Sequence, residues 1–175
     1  MRLKQVNDEV FYADGDKVKL NRRDIGGLIE KAGTSQRKRA RICMHPDIDH
    51  PLHEMIIVHH RGVYVRPHYH INKTESFHIL QGDADIVLFN DDGQVSDVVP
   101  VGSYGSDKIF YCRLPEKCYH SIIVYSDIFI VHEITGGPFL KDRAYFPEWA
   151  PADEDEKNVD IFFRQLLNSV SLFKK

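Results

Sequence analysis

Three cysteines in 175 residues, odd in number and without paired spacing, argue against a disulfide scaffold and fit a reducing compartment. Long apolar runs are missing too. The opening stretch from Met1 to Val10 lacks the hydrophobic segment of a signal peptide, and no window approaches a membrane span, so a cytoplasmic chain without a membrane partner is expected. Charge of one sign is absent: the net −3 gives no bias toward nucleic acid, and no nucleic-acid partner is expected. The densest basic run, Gln36 to Arg41, is local and reads as a solvated face or turn, with an anion-binding or oligomer-contact patch as the alternative. No internal repeat, low-complexity tract or linker interrupts the chain. This length suits one well-buried core and is too short for two ordinary domains.

What the chain has in excess is histidine: ten residues, all but His132 lying between His45 and His120. The surrounding pattern is β-rich. Short runs of Val, Ile, Phe and Tyr recur at 55–59, 63–70, 76–80, 84–89, 95–99, 109–114, 121–125 and 128–134, separated by turn residues such as Asp91, Asp92 and Gly93. Many short strands with almost no helix between them predict a sandwich or small barrel. Ahead of them, Asn21 to Gly33 predicts a short helix with Asn21 as its cap and Gly33 as its stop. Behind them, Val159, Phe162, Phe163, Leu166, Leu167, Val170 and Phe173 recur at helical spacing and predict an amphipathic helix. Its apolar stripe must pack on its own barrel or on a second subunit. One structural domain is expected, with an N-terminal extension over 1–54, a barrel over 55–151 and a C-terminal helix over 152–175.

The chemistry concentrates between Gly62 and Gly82. Residues two apart on a strand share a face, so His68 and His70 aim their imidazoles into one space. Asn72 and Lys73 supply a turn, after which Glu75 can return to the same pocket. Farther on, His120 follows Pro115 at the start of another strand and offers a third imidazole. Three histidines and a carboxylate suit one divalent transition-metal ion, Fe, Mn, Ni, Co or Zn, and leave two octahedral positions open.

The segment resembles the first cupin motif, G(X)5HXH(X)4E(X)6G, at every defining position: Gly62, His68, His70, Glu75 and Gly82. Pro115 and His120 match the second, G(X)5PXG(X)2H(X)3N. There Ile109, Lys117 and Val124 replace its leading glycine, inner glycine and asparagine, which puts the tightness of that turn in question. The chain is also similar to the WbuC family of cupin-fold metalloproteins. The carrying segments are Tyr64 to His70, Glu75 to Phe89, Glu133 with Gly137, Pro138 and Phe139, and Phe146 to Pro151. The resemblance runs from about Arg39 to Pro151. It implies an all-β double-stranded β-helix, or jelly-roll barrel, with a metal site, in proteins met in bacterial polysaccharide (O-antigen) gene clusters. It assigns no reaction.

Around the ligands, Arg66 and Tyr64 share the alternation of His68 and are expected to bind substrate, Arg66 through a carboxylate or phosphate. Glu133 and Tyr111 are the expected proton-transfer residues if they face inward. His78 falls on the opposite face and is read as packing, as are Cys112 and Cys118. His45, His59 and His60 have structural readings first and a pocket-mouth or subunit-contact role second. The expected function is a metal-dependent enzyme on a small polar, carboxylate or sugar-derived substrate, working by isomerase- or epimerase-like Lewis-acid chemistry as a homodimer. An Fe(II)-dependent dioxygenase and a non-catalytic ligand-binding module are the alternatives.

Overall fold

The computed structural model describes residues 1–140 and 143–175. In chain order the elements are β1 (Leu3–Gln5), β2 (Val10–Ala13), α1 (Arg22–Thr34), β3 (Arg39–Cys43), β4 (Leu52–His60), β5 (Tyr69–His70), β6 (Glu75–Gln81), β7 (Asp83–Phe89), β8 (Val95–Gly102), β9 (Tyr111–Leu114), β10 (Tyr119–Val124), β11 (Ile128–Gly136), β12 (Ala144–Tyr145) and α2 (Glu156–Phe173). They form a seven-stranded sheet in the order β1-β2-β3-β4-β11-β6-β9, a three-stranded sheet β10-β7-β8, and the pair β12-β5. The large sheet is mixed, since β2 and β3 run parallel.

Two-residue alternation builds the layers. On β4 and β11, Met55, Ile57, Phe129 and Val131 face the small sheet, where Ala84, Ile86, Ile122 and Val124 meet them in the central core. Their neighbours Ile56, Val58 and Ile130 point the other way and pack with Leu28 and Ala32 of α1. On the outer face of the small sheet, Val87, Phe89 and Ile123 pack with Leu166 and Val170 of α2. The order is helix, large sheet, small sheet, helix. The sheets face one another without closing, so the expected barrel is an open jelly-roll sandwich.

Both helices form where expected. Asn21 caps α1 in a capping box with Asp24. Gly33, however, lies inside the helix and ends nothing: a Cβ there would sit 3.3 Å from the His60 ring, so glycine permits this helix to approach β4. The stripe of α2 packs on its own small sheet, with Phe162 and Phe163 beside Trp149. No helix among the described residues is long and apolar enough to cross a membrane.

Three expectations change. The run at 63–70 is strand only at β5; His68 before it holds one isolated bridge to His120, and residues 63–67 have no ladder partners, in a segment that includes Pro67, which has no N–H to give. Three strands precede β4 in the large sheet, within the stretch expected only as an N-terminal extension. The basic run enters β3, where Ala40 and Ile42 pack under α1 and Arg39 and Arg41 face the opposite side.

Candidate metal centre

Glycines fix the two ends of the histidine segment. Gly62 and Gly82 have φ of 77° and 85°, and a Cβ on Gly82 would lie 2.3 Å from the Ile128 carbonyl oxygen. Between them, His68 pairs with His120 in an isolated antiparallel bridge, with backbone N···O distances of 3.2 and 3.0 Å. The bridge sets the two imidazoles opposite each other, ring centroids 4.5 Å apart. His70 follows two residues on, 5.0 Å from His68 by the same measure. Asn72, with φ of 56°, then turns the chain into β6 so that Glu75 faces back.

The carboxylate lies between two imidazoles: Glu75 Oε1 is 3.2 Å from His70 Nε2 and Oε2 is 3.1 Å from His120 Nε2. Ligand atoms of His68, Glu75 and His120 all lie within 4.8 Å of one another. Neighbouring ligands about 2.1 Å from a shared ion at right angles stand about 3.0 Å apart, so these spacings fit a divalent cation. The far nitrogens are tied back. His68 Nδ1 bonds the Arg66 carbonyl at 2.8 Å and His120 Nδ1 the Cys118 carbonyl at 3.0 Å, which leaves each Nε2 for the ion. Burial, reinforced by the neighbouring His120, pushes His68 down to about 3 and keeps it neutral, as a ligand must be. Burial alone would raise Glu75, but hydrogen bonds from His120 and His70 hold it well below the usual carboxylate range. The group of His68, Glu75 and His120 can bind a metal, and His70 adjoins it.

These side chains line a cavity of about 1060 Å³ between the sheets. Glu133 of β11 shares it, beside Phe77 in the ladder, and makes no hydrogen bond or ion pair among the described residues. Burial, with the Glu75 charge adding to it, pushes Glu133 up to about 8. Arg66 also lines the cavity, but its Nε donates to the Ala150 carbonyl at 3.1 Å and its guanidinium lies 4.9 Å from the Phe146 ring centre.

Two expected residues do not join the cavity. Tyr64 turns away: its hydroxyl donates to the Pro151 carbonyl at 2.9 Å and its ring meets Phe162, because alternation fails in the non-strand segment before β5. Tyr111 sits at the exposed edge of the large sheet and donates to Ser76 Oγ at 3.1 Å; its neighbour Cys112 takes the inward position instead. His78 is also outside, against Phe110. His60 bonds the Ile29 carbonyl under α1, whereas His45, stacked on His53 at 4.0 Å, and His59 line the cavity. The sequence offered no sign of Lys73, which lines the cavity and is only 7% exposed.

Residues 20–101 match a family model described as a domain of unknown function, DUF6016. No curated protein matches the chain. Among solved structures, the capsular polysaccharide assembling protein CapF of Staphylococcus aureus superimposes with a TM-score of 0.52 at 18% identity. That alignment covers 66% of this chain and 33% of CapF. A Shewanella oneidensis protein aligns with a TM-score of 0.47 at 13% identity, over 59% of this chain and 65% of its own. Oxalate decarboxylase of Bacillus subtilis aligns at 0.44 and 17% identity, over 57% of this chain and 25% of its own. The chain thus spans about a third of CapF and less than two thirds of the Shewanella protein. At these identities the likeness is one of fold, and the fold that CapF shares with this chain is the cupin jelly roll.

Proposed function

We propose that the chain is a metal-dependent isomerase or epimerase acting on a small sugar-derived substrate in bacterial polysaccharide chemistry. One observation carries the reading: an unpartnered carboxyl, Glu133, faces the same cavity as His68, His70, Glu75 and His120. When bound, a divalent ion there would supply Lewis acidity toward a substrate oxygen. Glu133 takes the proton lost from the carbon next to a substrate carbonyl and returns it on the same face to the carbonyl carbon, while the proton of the adjoining hydroxyl passes to the former carbonyl oxygen; in an epimerisation, water protonates the opposite face instead. The step balances without an oxidant. A carboxyl held near neutrality suits both halves of that transfer. The cavity has room for a substrate of sugar or nucleotide-sugar size. The setting is supported by the resemblance to the WbuC family and by the fold shared with a capsular polysaccharide assembling protein.

The test is solvent deuterium exchange. Metal-loaded chain in heavy water with a panel of aldoses, ketoses and nucleotide sugars is expected to exchange one carbon-bound proton of one substrate, followed by NMR. Glu133→Gln should slow that exchange by about a hundredfold while metal content holds. Oxygen consumption in place of exchange would overturn the reading in favour of a dioxygenase. Thermal stabilisation by a compound that neither exchanges nor turns over would favour a binding module.

A further inference from the structure

Six lysine and arginine side chains line the cavity that holds the metal-ligand cluster; Lys4 and Arg41 among them are exposed, and three others are engaged. Arg37 and Arg39 are held by Glu9 and Asp153, with Arg37 Nη2 at 2.6 Å from Glu9 and Nη1 at 2.9 Å from Asp153. Arg66 gives its Nε to the Ala150 carbonyl and lies over the Phe146 ring, and it is only partly buried. Lys73 differs. It is 93% buried, lines the cavity, and its ammonium makes no hydrogen bond or ion pair among the described residues. Its nearest contact of note is the Phe139 ring, 5.8 Å from Nζ to the centre. Glu75, two residues on, makes no ion pair with it, although its charge favours the ammonium; the two carboxylate oxygens contact His70 and His120.

The inward placement is built by the backbone. Asn72 adopts a left-handed conformation and its N–H is held by Glu116 Oε2 at 2.7 Å, while the Lys117 N–H holds the His70 carbonyl at 2.9 Å. The turn from His70 to Lys73 is thereby clamped at two points by the β9–β10 connection, and the lysine is directed inward. An ammonium on a largely buried lysine, with no ion-pair partner among the described residues and only the more distant charge of Glu75 to favour it, is a place where an anion in the cavity gains.

We propose that Lys73 is the anion subsite of this cavity, taking the carboxylate of an organic acid whose neighbouring hydroxyl or carbonyl oxygen faces the His68, His70, Glu75 and His120 cluster. This rests on the metal-centre reading above and narrows its substrate to a hydroxy or sugar acid. A monoanion suits the place better than a phosphate dianion, because the carboxyl groups of Glu75 and Glu133 line the same cavity. A single ammonium supplies point attraction, without the fork that selects phosphate bidentately.

The experiment compares acids with matched neutral partners by calorimetric titration of the metal-loaded chain: lactate against lactamide, and galacturonate against galactose. The wild-type chain is expected to prefer at least one acid by about tenfold. Lys73→Met, which keeps the aliphatic stem, should bring that preference to within about twofold, and Lys73→Arg should keep part of it. Lys73→Gln serves as the second neutral variant should the methionine variant fold poorly by circular dichroism. Preference unchanged in the neutral variants would overturn the subsite, since the ion alone would then select the acid. So would the absence of preference in both pairs for the wild type, or inorganic phosphate competing as tightly as the preferred acid. A wild-type chain that takes up no metal refutes the metal centre alone. The acid preference measured on that same chain then decides Lys73 by the same comparison.

Discussion

The backbone N–H of Lys117 donates to the carbonyl of His70 at 2.9 Å, joining the turn before β10 to the strand that carries a candidate ligand. Lys117 stands where the second cupin motif has its inner glycine, and its φ is 58°. The turn takes a left-handed conformation that suits glycine, with a lysine in it. A side chain in that conformation costs about 1 kcal/mol or somewhat more, part of which glycine loses again through its freer unfolded state. Lys117→Gly is therefore expected to raise the free energy of unfolding by about 0.5–1 kcal/mol, read from the urea midpoint, with metal uptake unchanged. A lower midpoint would show that the exposed lysine side chain holds the turn.

What could be read from the sequence follows the range of the interactions. Gly62, His68, His70, Glu75 and Gly82 are set by a local spacing, and His120 by its distance from Pro115; the structure groups His68, Glu75 and His120 and sets His70 against Glu75, outside that group. Tyr64 leaves the face that alternation assigns it, because alternation holds only where a ladder enforces the pleat, and residues 63–67 have none. Tyr111 and Cys112 show the same problem at an edge: alternation says that they differ, but pairing with β6 decides which one faces inward. Lys73 could not have been found. A lysine in a polar turn reads as exposed, and its burial depends on the clamp from Glu116 and Lys117 and on Phe139 far along the chain.

The strongest test of the metal centre is at His120, whose surrounding motif is the most altered. Its backbone is fixed by the bridge to His68 and its Nδ1 by the Cys118 carbonyl, so its position does not depend on an ion. His120→Ala is expected to lower metal affinity on the order of a hundredfold or more while the fold persists, since outer partners of such ligands alone are worth 10- to 100-fold. Elemental analysis after dialysis against a weak chelator, beside circular dichroism, checks both halves. Undiminished metal content would remove His120 from the centre.

The C-terminus of α2 is fastened by an ion pair. Asp85 of β7 is almost fully buried, and its carboxylate accepts from the Lys174 ammonium and the Tyr125 hydroxyl. Removing one partner of such a pair leaves the other charge uncompensated, although Lys174 is partly solvated and the effect is correspondingly reduced. Lys174→Met is expected to destabilise the chain by about 1–2 kcal/mol. Adding Asp85→Asn should recover part of that loss, which a double-mutant cycle in urea would measure. Strict additivity of the two substitutions would show that the pair contributes nothing.

His59, on the wall of the cavity that holds the metal-ligand cluster, gives the fold an acid-sensitive point. It is 5% exposed on β4, and its Nδ1 is buried without a partner. Burial, with the charge of Arg39 adding to it, pushes its pKa down to about 3 from the ordinary 6.5. Between those values the unfolded chain binds a proton that the folded chain refuses, so stability is fully present above about pH 6.5 and is lost as pH falls toward 3. His45, pushed down to about 4 chiefly by its burial, acts in the same direction. The full shift at His59 corresponds to a few kcal/mol at roughly 1.4 kcal/mol per pKa unit. His59→Phe, which keeps a ring beside Phe129, should therefore lose less stability than the wild type between pH 7.5 and pH 4.5. Urea midpoints of both chains at the two pH values give the difference directly, because the other titrating groups are common to both. Equal losses would mean that His59 is protonated inside the folded chain.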